Sequence, residues 1–403
     1  MTGMSGIAEQ FRSEALRSLD VLGTGPEERF DRVVRLAQRI FRVPVVAVSF
    51  IDGDRHWVKA HVGLDGPDIT SGEAFCQHTM RESGTVVVRD AVSDVRFATN
   101  PVVTGSPGVR FYAGHAVRSP DGHSVGALYL IDHVPRDLDD EQATMLSELA
   151  GWIESELALR EELARAEGVQ HGLLPHEPPS IPGFGVAGCC IPASEVGGDF
   201  FDWFPVGDEF QFTIADVMGK GLGAALIAAS VRAVLRTTLR APARRGDVER
   251  RRPLLIADAV TNAARGMEPD LQETSSFVTL FTARLEVATG TLRYVDAGHG
   301  LSAVVGVDGV PHLLTSTDVP IGVLPDDSWS EHVVHLDPGD TLLSVSDGVL
   351  DYFSSALEVL DAAAVLARGA DTAQQVIDEI TRFARARRIK DDITALVVRR
   401  DSA

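Results

Sequence analysis

Disulfide-forming cysteines, long apolar runs and an excess of positive charge are all missing from this 403-residue sequence. Its three cysteines, Cys76, Cys189 and Cys190, are too few for a disulfide framework, which suits a reducing compartment. No stretch approaches the ~18 apolar residues of a membrane-spanning helix, and the N-terminus lacks an apolar signal segment. Lysine and arginine number 37 against 58 acidic residues, a net charge of −21. The sequence therefore predicts a soluble cytoplasmic protein, with no nucleic acid and no membrane among its partners.

What is present is typical of a folded protein of two or three domains. Hydrophobic residues make up 44% and charged residues 24% of the chain. Gly168 and Gly172, followed by the proline cluster from Pro175 to Pro182, predict the end of a helix and a linker. We therefore expect one region before about residue 160 and another after about residue 182.

Apolar residues spaced three and four apart predict a helix over residues 138–166, just before this linker. The stripe consists of Leu146, Leu149, Ile153 and Leu157, and it continues more weakly through Leu159 and Leu163. A lone surface helix would leave such a stripe in water, whereas pairing with a second copy would bury it. We therefore expect a homodimer through this helix, with marginal pairing because the stripe is short and Arg160 interrupts it.

Both regions have the pattern of α+β domains. The first has an amphipathic helix and then predicted strands at 45–51, 57–61, 85–89, 112–118 and 125–131. The second has predicted strands at 186–191, 210–215, 277–286, 291–296, 302–307, 341–345 and 394–398. Long helices are predicted at 222–239 and 372–386. No phosphate-loop glycine pattern accompanies them, so we expect antiparallel sheets with helices packed outside.

Aspartates in the second region share one setting, the end of an apolar run beside a turn or a glycine. They are Asp199, Asp216, Asp347 and the adjacent Asp391 and Asp392. Convergent carboxylates repel one another unless a cation neutralises them, and oxygen-only ligands suit Mg²⁺ or Mn²⁺. No Cys/His set has the spacing of a zinc site. Because Asp-Gly is also a common turn, the residues alone leave both interpretations open.

Ordered motifs across residues 173–400 resemble one known family. They are Leu173–Pro175, Ile181–Gly183, Pro192–Asp202, Ala215–Gly221, Phe277–Leu280, Asp296–His299, Pro338–Asp340, Ser346–Val349 and Lys390–Thr394. The region resembles the bacterial branch of the metal-dependent Ser/Thr protein phosphatase (PPM) superfamily. That branch contains stage II sporulation protein E and the stress-response phosphatases that act on anti-anti-sigma factors. The resemblance implies a fold of two antiparallel sheets flanked by helices.

The resemblance also implies roles for the acids. Asp216 would bridge two metals, with the Val217 backbone carbonyl and Asp199 at the second metal. Asp347 and Asp391 would hold the first metal, with Asp392 alongside. The implied cofactors are two Mn²⁺ or Mg²⁺ ions that activate a hydroxide. The implied reaction is hydrolysis of phosphoserine or phosphothreonine on an anti-anti-sigma-type protein, without a covalent nucleophile on the enzyme.

Two further residues of the motifs receive no catalytic role. Asp202 is expected to be structural or to support the ligands, and His299 is expected to belong to a turn. Gly300 follows His299 where the family usually has proline or asparagine. The alternative function is a non-catalytic scaffold that binds a partner through the phosphatase fold. Loss of metal-site acids would favour it, and none is lost.

The first region resembles a GAF sensor domain. The motifs are Phe75-Cys76, Asp94–Phe97, Val109–Gly114 and Gly126–Asp132. The expected organisation is a GAF domain at 12–158, a helical and proline-rich linker at 159–182 and the phosphatase domain at 183–400. The GAF domain is expected to regulate the phosphatase, and its ligand stays unknown.

Three features of the sequence allow a functional and a structural interpretation. Cys76 allows a bilin or redox interpretation, but Gln77 follows it where bilin sites commonly have histidine, so a core cysteine is favoured. His78 and His115 allow a haem interpretation, although a lone histidine is usually structural. The arginine-rich stretch 232–252 allows docking of an acidic protein, but a solvated helix face is favoured.

Overall fold

A computed structural model describes residues 2–53, 55–64, 73–106, 108–240 and 255–402. The chain divides into two compact units, Met1–Glu162 and Leu163–Ala403. The described residues form three five-stranded sheets, one in the first unit and two in the second. Every strand pair within these sheets is antiparallel, and helices pack against the sheets in both units. The predicted α+β class is thereby confirmed.

The first unit is built on one five-stranded sheet of order β2-β1-β5-β4-β3. Its helices are α1 (Thr2–Ser18), α2 (Glu28–Phe41), α3 (Glu73–Thr79), α4 (Pro101–Thr104) and α5 (Asp140–Leu173). Its strands are β1 (Val45–Asp52), β2 (Arg55–Val62), β3 (Val86–Val88), β4 (Phe111–Arg118) and β5 (Ser124–Asp132). Helix α5 begins in the first unit and ends in the second.

The β-strand alternation of the first unit supplies two apolar layers, one on each face of the sheet. On one face Val46, Val48 and Phe50 pack with residues of α1, α2 and α5. On the other face Ala47 and Tyr129 pack with residues of α3 and α4. Because successive side chains of a strand point to opposite faces, the near-continuous apolar runs of β1 and β5 fit a sheet covered on both sides.

Helix α5 differs from its prediction in two respects. It passes through Gly168 and ends at Leu173, because glycine costs a helix only about 1 kcal/mol whereas Pro175 disfavours helical geometry in the residue before it. Its apolar stripe is not free for a partner either. Leu146, Leu149, Ile153 and Leu157 are all buried in the core of the first unit. The prediction that these four side chains need a second copy of the chain to be buried is therefore wrong.

The second unit has two five-stranded sheets, of orders β13-β10-β9-β8-β7 and β12-β11-β14-β15-β6. Its strands are β6 (Phe184–Ile191), β7 (Asp199–Val206), β8 (Glu209–Val217), β9 (Val278–Glu286), β10 (Thr291–Ala297), β11 (Ser302–Val305), β12 (Pro311–Leu313), β13 (His332–His335), β14 (Thr341–Val345) and β15 (Ile393–Arg400). Its helices are α6 (Leu222–Arg240), α7 (Ile256–Glu273), α8 (Ala356–Gly369), α9 (Ala373–Arg385) and a 3₁₀ helix (Asp347–Tyr352).

The two sheets of the second unit pack face to face between outer helices. Phe212 and Phe281 of the first sheet share a buried cluster with Leu342 and Leu396 of the second. Outside the first sheet lie α6 and α7, and outside the second lie α8 and α9. The result is a four-layer α/β/β/α arrangement, which confirms the expectation of two antiparallel sheets flanked by helices.

Strand β7 and helix α6 depart from simple patterns of the sequence. Strand β7 was not predicted from the sequence, because its aromatic side chains are buried on both faces of the strand and apolar and polar residues do not alternate along it. Helix α6 is long and apolar enough to cross a bilayer by length and composition alone. Its residues Ala228, Val231 and Leu235 are buried against the first sheet, so α6 is accounted for as a core helix.

Candidate metal centre

The β7–β8 hairpin supplies the first two carboxylates. Asp199 begins β7, Asp216 lies one residue before the end of β8, and the two are directly opposite in the antiparallel register. Opposed residues in such a pair have Cβ atoms roughly 4.5–5.5 Å apart. Two charged carboxylates this close repel each other, so the pair favours either a bound cation or a proton on one of the two.

The second sheet brings two more carboxylates to this place. Asp347 follows β14 and Asp391 precedes β15, and these strands pair so that Val345 lies opposite Ala395. Ser346 holds the two ends together, because its backbone N–H donates to the Thr394 carbonyl at 2.9 Å and its hydroxyl accepts from the Thr394 N–H at 2.9 Å. The end of one strand and the start of the next therefore present Asp347 and Asp391 side by side.

The carboxylates of the two sheets influence one another strongly. Burial and the neighbouring Asp347 raise the pKa of Asp216 to about 7. Burial and Asp216 raise the pKa of Asp199 well above its ordinary value, and burial and Asp391 raise that of Asp347. Among the strongest influences on these three groups within the described chain, none is a lysine or arginine. The carboxylates therefore repel one another, and the site favours a cation or protons.

Two details of the Asp199 side of the site leave space and an oxygen for a ligand. The Oδ2 atom of Asp199 is buried and has no hydrogen-bond partner. A Cβ placed on Gly198 would lie 2.5 Å from the Val217 carbonyl oxygen, so only glycine leaves that carbonyl room. An orphaned buried carboxylate oxygen is costly unless something binds it. This donor set fits a hard divalent cation such as Mg²⁺ or Mn²⁺.

The turn after Asp216 requires its glycines. Gly219 and Gly221 have φ values of 104° and 75°, a region that side-chain-bearing residues avoid. Helix α6 begins directly afterwards at Leu222. Glycine at these two positions lets the chain reverse beside the carboxylates and bring the first turn of α6 close to them.

Asp392 is placed differently from the other acids. Its Oδ1 accepts from the Ala193 N–H at 2.8 Å and its Oδ2 accepts from the Gly198 N–H at 2.7 Å. Burial raises the pKa of Asp392, while these backbone N–H groups oppose that shift. Asp392 therefore clamps the loop that leads into Asp199, and each of its oxygens already has a backbone donor.

The acids form neighbouring pairs rather than a closed trio. Within the described ranges, no three His, Cys, Asp or Glu side chains converge on one point closely enough to enclose an ion. Asp199 neighbours Asp216, Asp216 neighbours Asp347, and Asp347 neighbours Asp391. Mg²⁺ typically takes only one or two protein carboxylates and keeps several waters, so an arrangement of pairs fits this type of ion.

Asp202 and His299 have structural contacts. Asp202 is buried and accepts from Arg232 at 3.3 Å and Arg236 at 3.1 Å. The backbone N–H of His299 donates to Asp296 Oδ1 at 2.7 Å, and His299 Nε2 lies 3.1 Å from the Ser344 hydroxyl. Burial lowers the pKa of His299 to about 4. Asp202 thus anchors α6 to β7, and His299 belongs to a turn, as expected.

The ion pairs of Asp202 correct the favoured interpretation of the arginine-rich stretch. Arg232 and Arg236 are partly buried and paired rather than solvated. Arg240 lies over the Phe204 ring at 4.5 Å. The rest of the stretch, residues 241–252, lies outside the described residues. The described part of this stretch therefore holds a helix against its sheet.

Gln170, which was not predicted as a site residue, forms hydrogen bonds with the loop that leads into Asp199. Its Nε2 donates to the Gly197 carbonyl at 2.7 Å, and its Oε1 accepts from the Gly197 N–H at 3.1 Å. Gln170 lies near the end of α5 and belongs to the second unit. No local pattern marks it, because its partner lies 27 residues further along the chain.

The residues considered as ligands in the first unit are occupied by packing and hydrogen bonds. Cys76 is fully buried and belongs to the same apolar cluster as Phe75 and Tyr112, whose rings stack at 4.8 Å. His78 Nε2 lies 2.8 Å from Arg96 Nη1, and His115 Nδ1 lies 2.9 Å from the Thr85 hydroxyl. Burial of Cys76 confirms the core interpretation.

Comparison with known proteins matches each unit to a family. Residues 207–401 match the family model described as stage II sporulation protein E, and residues 25–157 match the model of the GAF domain. A cyclic di-GMP phosphodiesterase of Pseudomonas aeruginosa is 34% identical over 143 residues, which cover 35% of this chain and 24% of that protein. Phosphoserine phosphatase RsbU of Bacillus subtilis is 24% identical over 194 residues, which cover 48% of this chain and 54% of that protein.

Among solved structures, the SiaA-PP2C domain of Pseudomonas aeruginosa matches with a TM-score of 0.48 and 22% identity. The match covers 60% of this chain and 97% of that domain. The chain spans 24% to 54% of the length of these two curated relatives.

Proposed function

Because the chain carries a GAF domain at residues 25–157 and a domain of the stage II sporulation protein E family at residues 207–401, we propose that it is a metal-dependent protein serine/threonine phosphatase. The observation that carries this proposal is the cluster of carboxylates that two sheets bring to one end of the second unit. Their raised pKa values and the orphaned Asp199 Oδ2 support a site for divalent cations.

In this proposal two Mn²⁺ or Mg²⁺ ions would be held by Asp216 together with the other acids. Asp199 and the Val217 carbonyl would contribute on one side and Asp347 and Asp391 on the other, while Asp392 holds the loop before Asp199. When bound, the ions supply a lowered pKa for a nucleophilic water and charge neutralisation for the phosphate. The chain itself contributes a rigid strand hairpin for Asp199 and Asp216, and a Ser346 link that fixes Asp347 relative to Asp391.

The proposed substrate is a phosphoserine or phosphothreonine on an anti-anti-sigma-type protein, and the proposed compartment is the cytoplasm. Similarity to phosphoserine phosphatase RsbU of Bacillus subtilis supports the substrate class. The alternative of a non-catalytic scaffold has no specific observation in its favour, because every expected acid is present and the acids of both sheets lie together.

Hydrolysis by the full chain tests this proposal. We expect p-nitrophenyl phosphate and a phosphoserine peptide to be hydrolysed in Mn²⁺ and not in EDTA, because the carboxylates alone repel a phosphate. A phosphotyrosine peptide is expected to react much more slowly than the phosphoserine peptide. No hydrolysis in Mn²⁺ or Mg²⁺ would favour the scaffold, and equal rates on both peptides would contradict the substrate class.

We further propose that the GAF domain controls the phosphatase through helix α5. Support comes from Gln170, whose amide bonds both backbone groups of Gly197, two residues before Asp199. Homodimerisation through this helix stays a prediction. Leu146, Leu149, Ile153 and Leu157 are buried, so the apolar side chains of α5 that a second copy could cover are the exposed Trp152, Leu159 and Val169. Sedimentation of the full chain tests it.

Replacing Gln170 by alanine is expected to weaken Mn²⁺ binding about tenfold and to lower the rate. Two hydrogen bonds to Gly197 are lost, each worth about 1 kcal/mol, and the loop between Gln170 and Asp199 gains freedom. Glu167→Ala is the matched control, because Glu167 lies in the preceding turn of α5 and is exposed. Mn²⁺ affinity is measured from the free-ion electron paramagnetic resonance signal. Equal affinity and rate in the two variants would remove Gln170 from the proposed route.

A further inference from the structure

A second basic segment lies directly before the metal-site acids. Arg382, Arg385, Arg387, Arg388 and Lys390 are all exposed, at the end of α9 and in the loop that follows. Five cations within nine residues are unusual in a chain whose net charge is −21. We call these residues the basic loop.

Much of this charge has no acidic partner among the residues that the structure describes. Arg382 pairs with Glu379, and Arg387 lies over the Phe383 ring at 3.8 Å. Arg385, Arg388 and Lys390 make no ion pair with any described residue. None of these cations is among the strongest influences on the pKa of Asp216 or Asp347. Arg385, Arg388 and Lys390 are therefore exposed cations without an ion-pair partner among the described residues.

Two contacts hold the basic loop beside the metal site. The Tyr352 hydroxyl donates to the Arg388 carbonyl at 2.8 Å, and Tyr352 ends the 3₁₀ helix that begins at Asp347. The Lys220 ammonium donates to the Lys390 carbonyl at 3.2 Å, and Lys220 lies in the glycine turn after Asp216. The loop is thus tied to segments that carry acids of both sheets.

An apolar cleft adjoins the basic loop. It has a volume of about 560 Å³ and lies between the 3₁₀ helix, α8 and α9. Its lining includes Val349, Phe353, Val365, Leu366, Phe383 and Arg387. Val365 is 60% exposed although it lies on the helix face that borders the cleft. The cleft is lined by apolar side chains and by Arg382 and Arg387, and its one carboxylate, Glu379, is paired with Arg382. Such a lining matches a helix with one apolar and one acidic face.

We propose that the basic loop and this cleft form a docking surface for an acidic amphipathic helix of the phosphoprotein substrate. The proposal rests on the proposed phosphatase function. A docked helix would place its apolar side chains in the cleft and its carboxylates on the arginines, next to the carboxylate cluster. Exposed charge pairs act mainly on encounter rate and are screened by salt, so the surface should lower KM rather than raise kcat.

The test uses two phosphoserine peptides that differ only in a flanking amphipathic helix, with either glutamates or lysines on its polar face. We expect the full-length protein to prefer the acidic peptide about tenfold in kcat/KM at low salt, and this preference should shrink as NaCl is added. The double variant Arg385→Glu and Arg388→Glu should lose the preference through KM. Its rate on p-nitrophenyl phosphate should be unchanged.

The matched control reverses two exposed arginines elsewhere, Arg39→Glu and Arg265→Glu, which make no ion pair with the described residues. It should keep the preference. Val365→Asp probes the cleft separately and should weaken the acidic peptide while sparing p-nitrophenyl phosphate. An unchanged acidic-peptide KM in both the arginine double variant and the Val365 variant would overturn the docking surface.

A binding measurement separates this proposal from the proposed catalysis. Fluorescence anisotropy with the unphosphorylated acidic peptide needs no hydrolysis, so it reports on docking even in a protein without activity. Loss of binding in the arginine double variant and retention in the control support the surface. Equal binding of the acidic and lysine peptides, or tighter binding to duplex DNA or anionic vesicles than to the acidic peptide, overturns it.

Discussion

Replacing Asp216 by asparagine is expected to lower the rate of hydrolysis by a factor on the order of 10³ or more, while the fold stays intact. Asp216 is the carboxylate that contacts both sheets' acids, and asparagine keeps its size while removing its charge. The same change should raise the thermal stability of the metal-free protein, because the repulsion from Asp347 and Asp391 is reduced. Rates at saturating Mn²⁺ and melting curves in EDTA measure the two effects.

The pH dependence of stability follows from the same group. The pKa of Asp216 is raised from its ordinary 3.8 to about 7, so the metal-free native state binds a proton that the unfolded chain has released. The stabilisation is fully present below about pH 4 and is lost as the pH rises through about 7. Metal-free protein should therefore melt at a lower temperature at pH 8 than at pH 6. The asparagine variant should lose most of this difference.

Asp361→Asn is the matched control for both measurements, because Asp361 is an exposed aspartate on α8. It should leave the rate and the pH dependence as in the unmodified protein. Asp347→Asn should resemble Asp216→Asn in rate, since Asp347 neighbours Asp391 in the same cluster. Full activity of either variant at saturating Mn²⁺ would refute the assignment of the site.

Replacing Gly197 by alanine is expected to reduce activity by about 100-fold, mainly through weaker metal binding. A Cβ at this position would lie 2.1 Å from Asp392 Oδ2 and 2.6 Å from its Cγ, so either the carboxylate or the loop has to shift. A shift of Asp392 would disturb Asp391, its direct neighbour in the chain. The displacement would also break the bonds from Ala193 and Gly198 that hold the loop before Asp199.

Gly223→Ala offers the same chemical change without the clash. No atom lies within 4 Å of a Cβ at Gly223, which is in the first turn of α6. Alanine there should raise stability by up to about 1 kcal/mol through helix propensity and leave the rate unchanged. Mn²⁺ titrations and melting curves compare the two variants. Similar Mn²⁺ affinity in both would show that the contact between Gly197 and Asp392 does not position the metal ligands.

Local patterns carried much of the fold. Strand β14 occupies the predicted residues 341–345, and α6 and α9 agree with their predicted bounds to within one residue, because hydrophobic periodicity and turn residues act over short distances. Helices α7 and α8 were not predicted, and α7 contains Pro269, which is disfavoured inside a helix. The end of α5 was placed too early, because two glycines were given more weight than the proline that follows them.

The acids of the second unit, the glycines beside them and the family motifs are local and ordered along the chain, so the candidate site could be predicted from the sequence alone. How these residues meet depends on the three-dimensional fold. Pairing of β7 with β8 and of β14 with β15, and the packing of the two sheets, bring Asp216 near Asp347 across 131 residues of chain. The same long-range packing forms the ion pairs of Arg232 and Arg236 with Asp202. It also forms the hydrogen bonds of Gln170 with Gly197 and of Asp392 with the loop before Asp199. Such contacts depend on the relative placement of distant elements, which no local spacing of residues encodes.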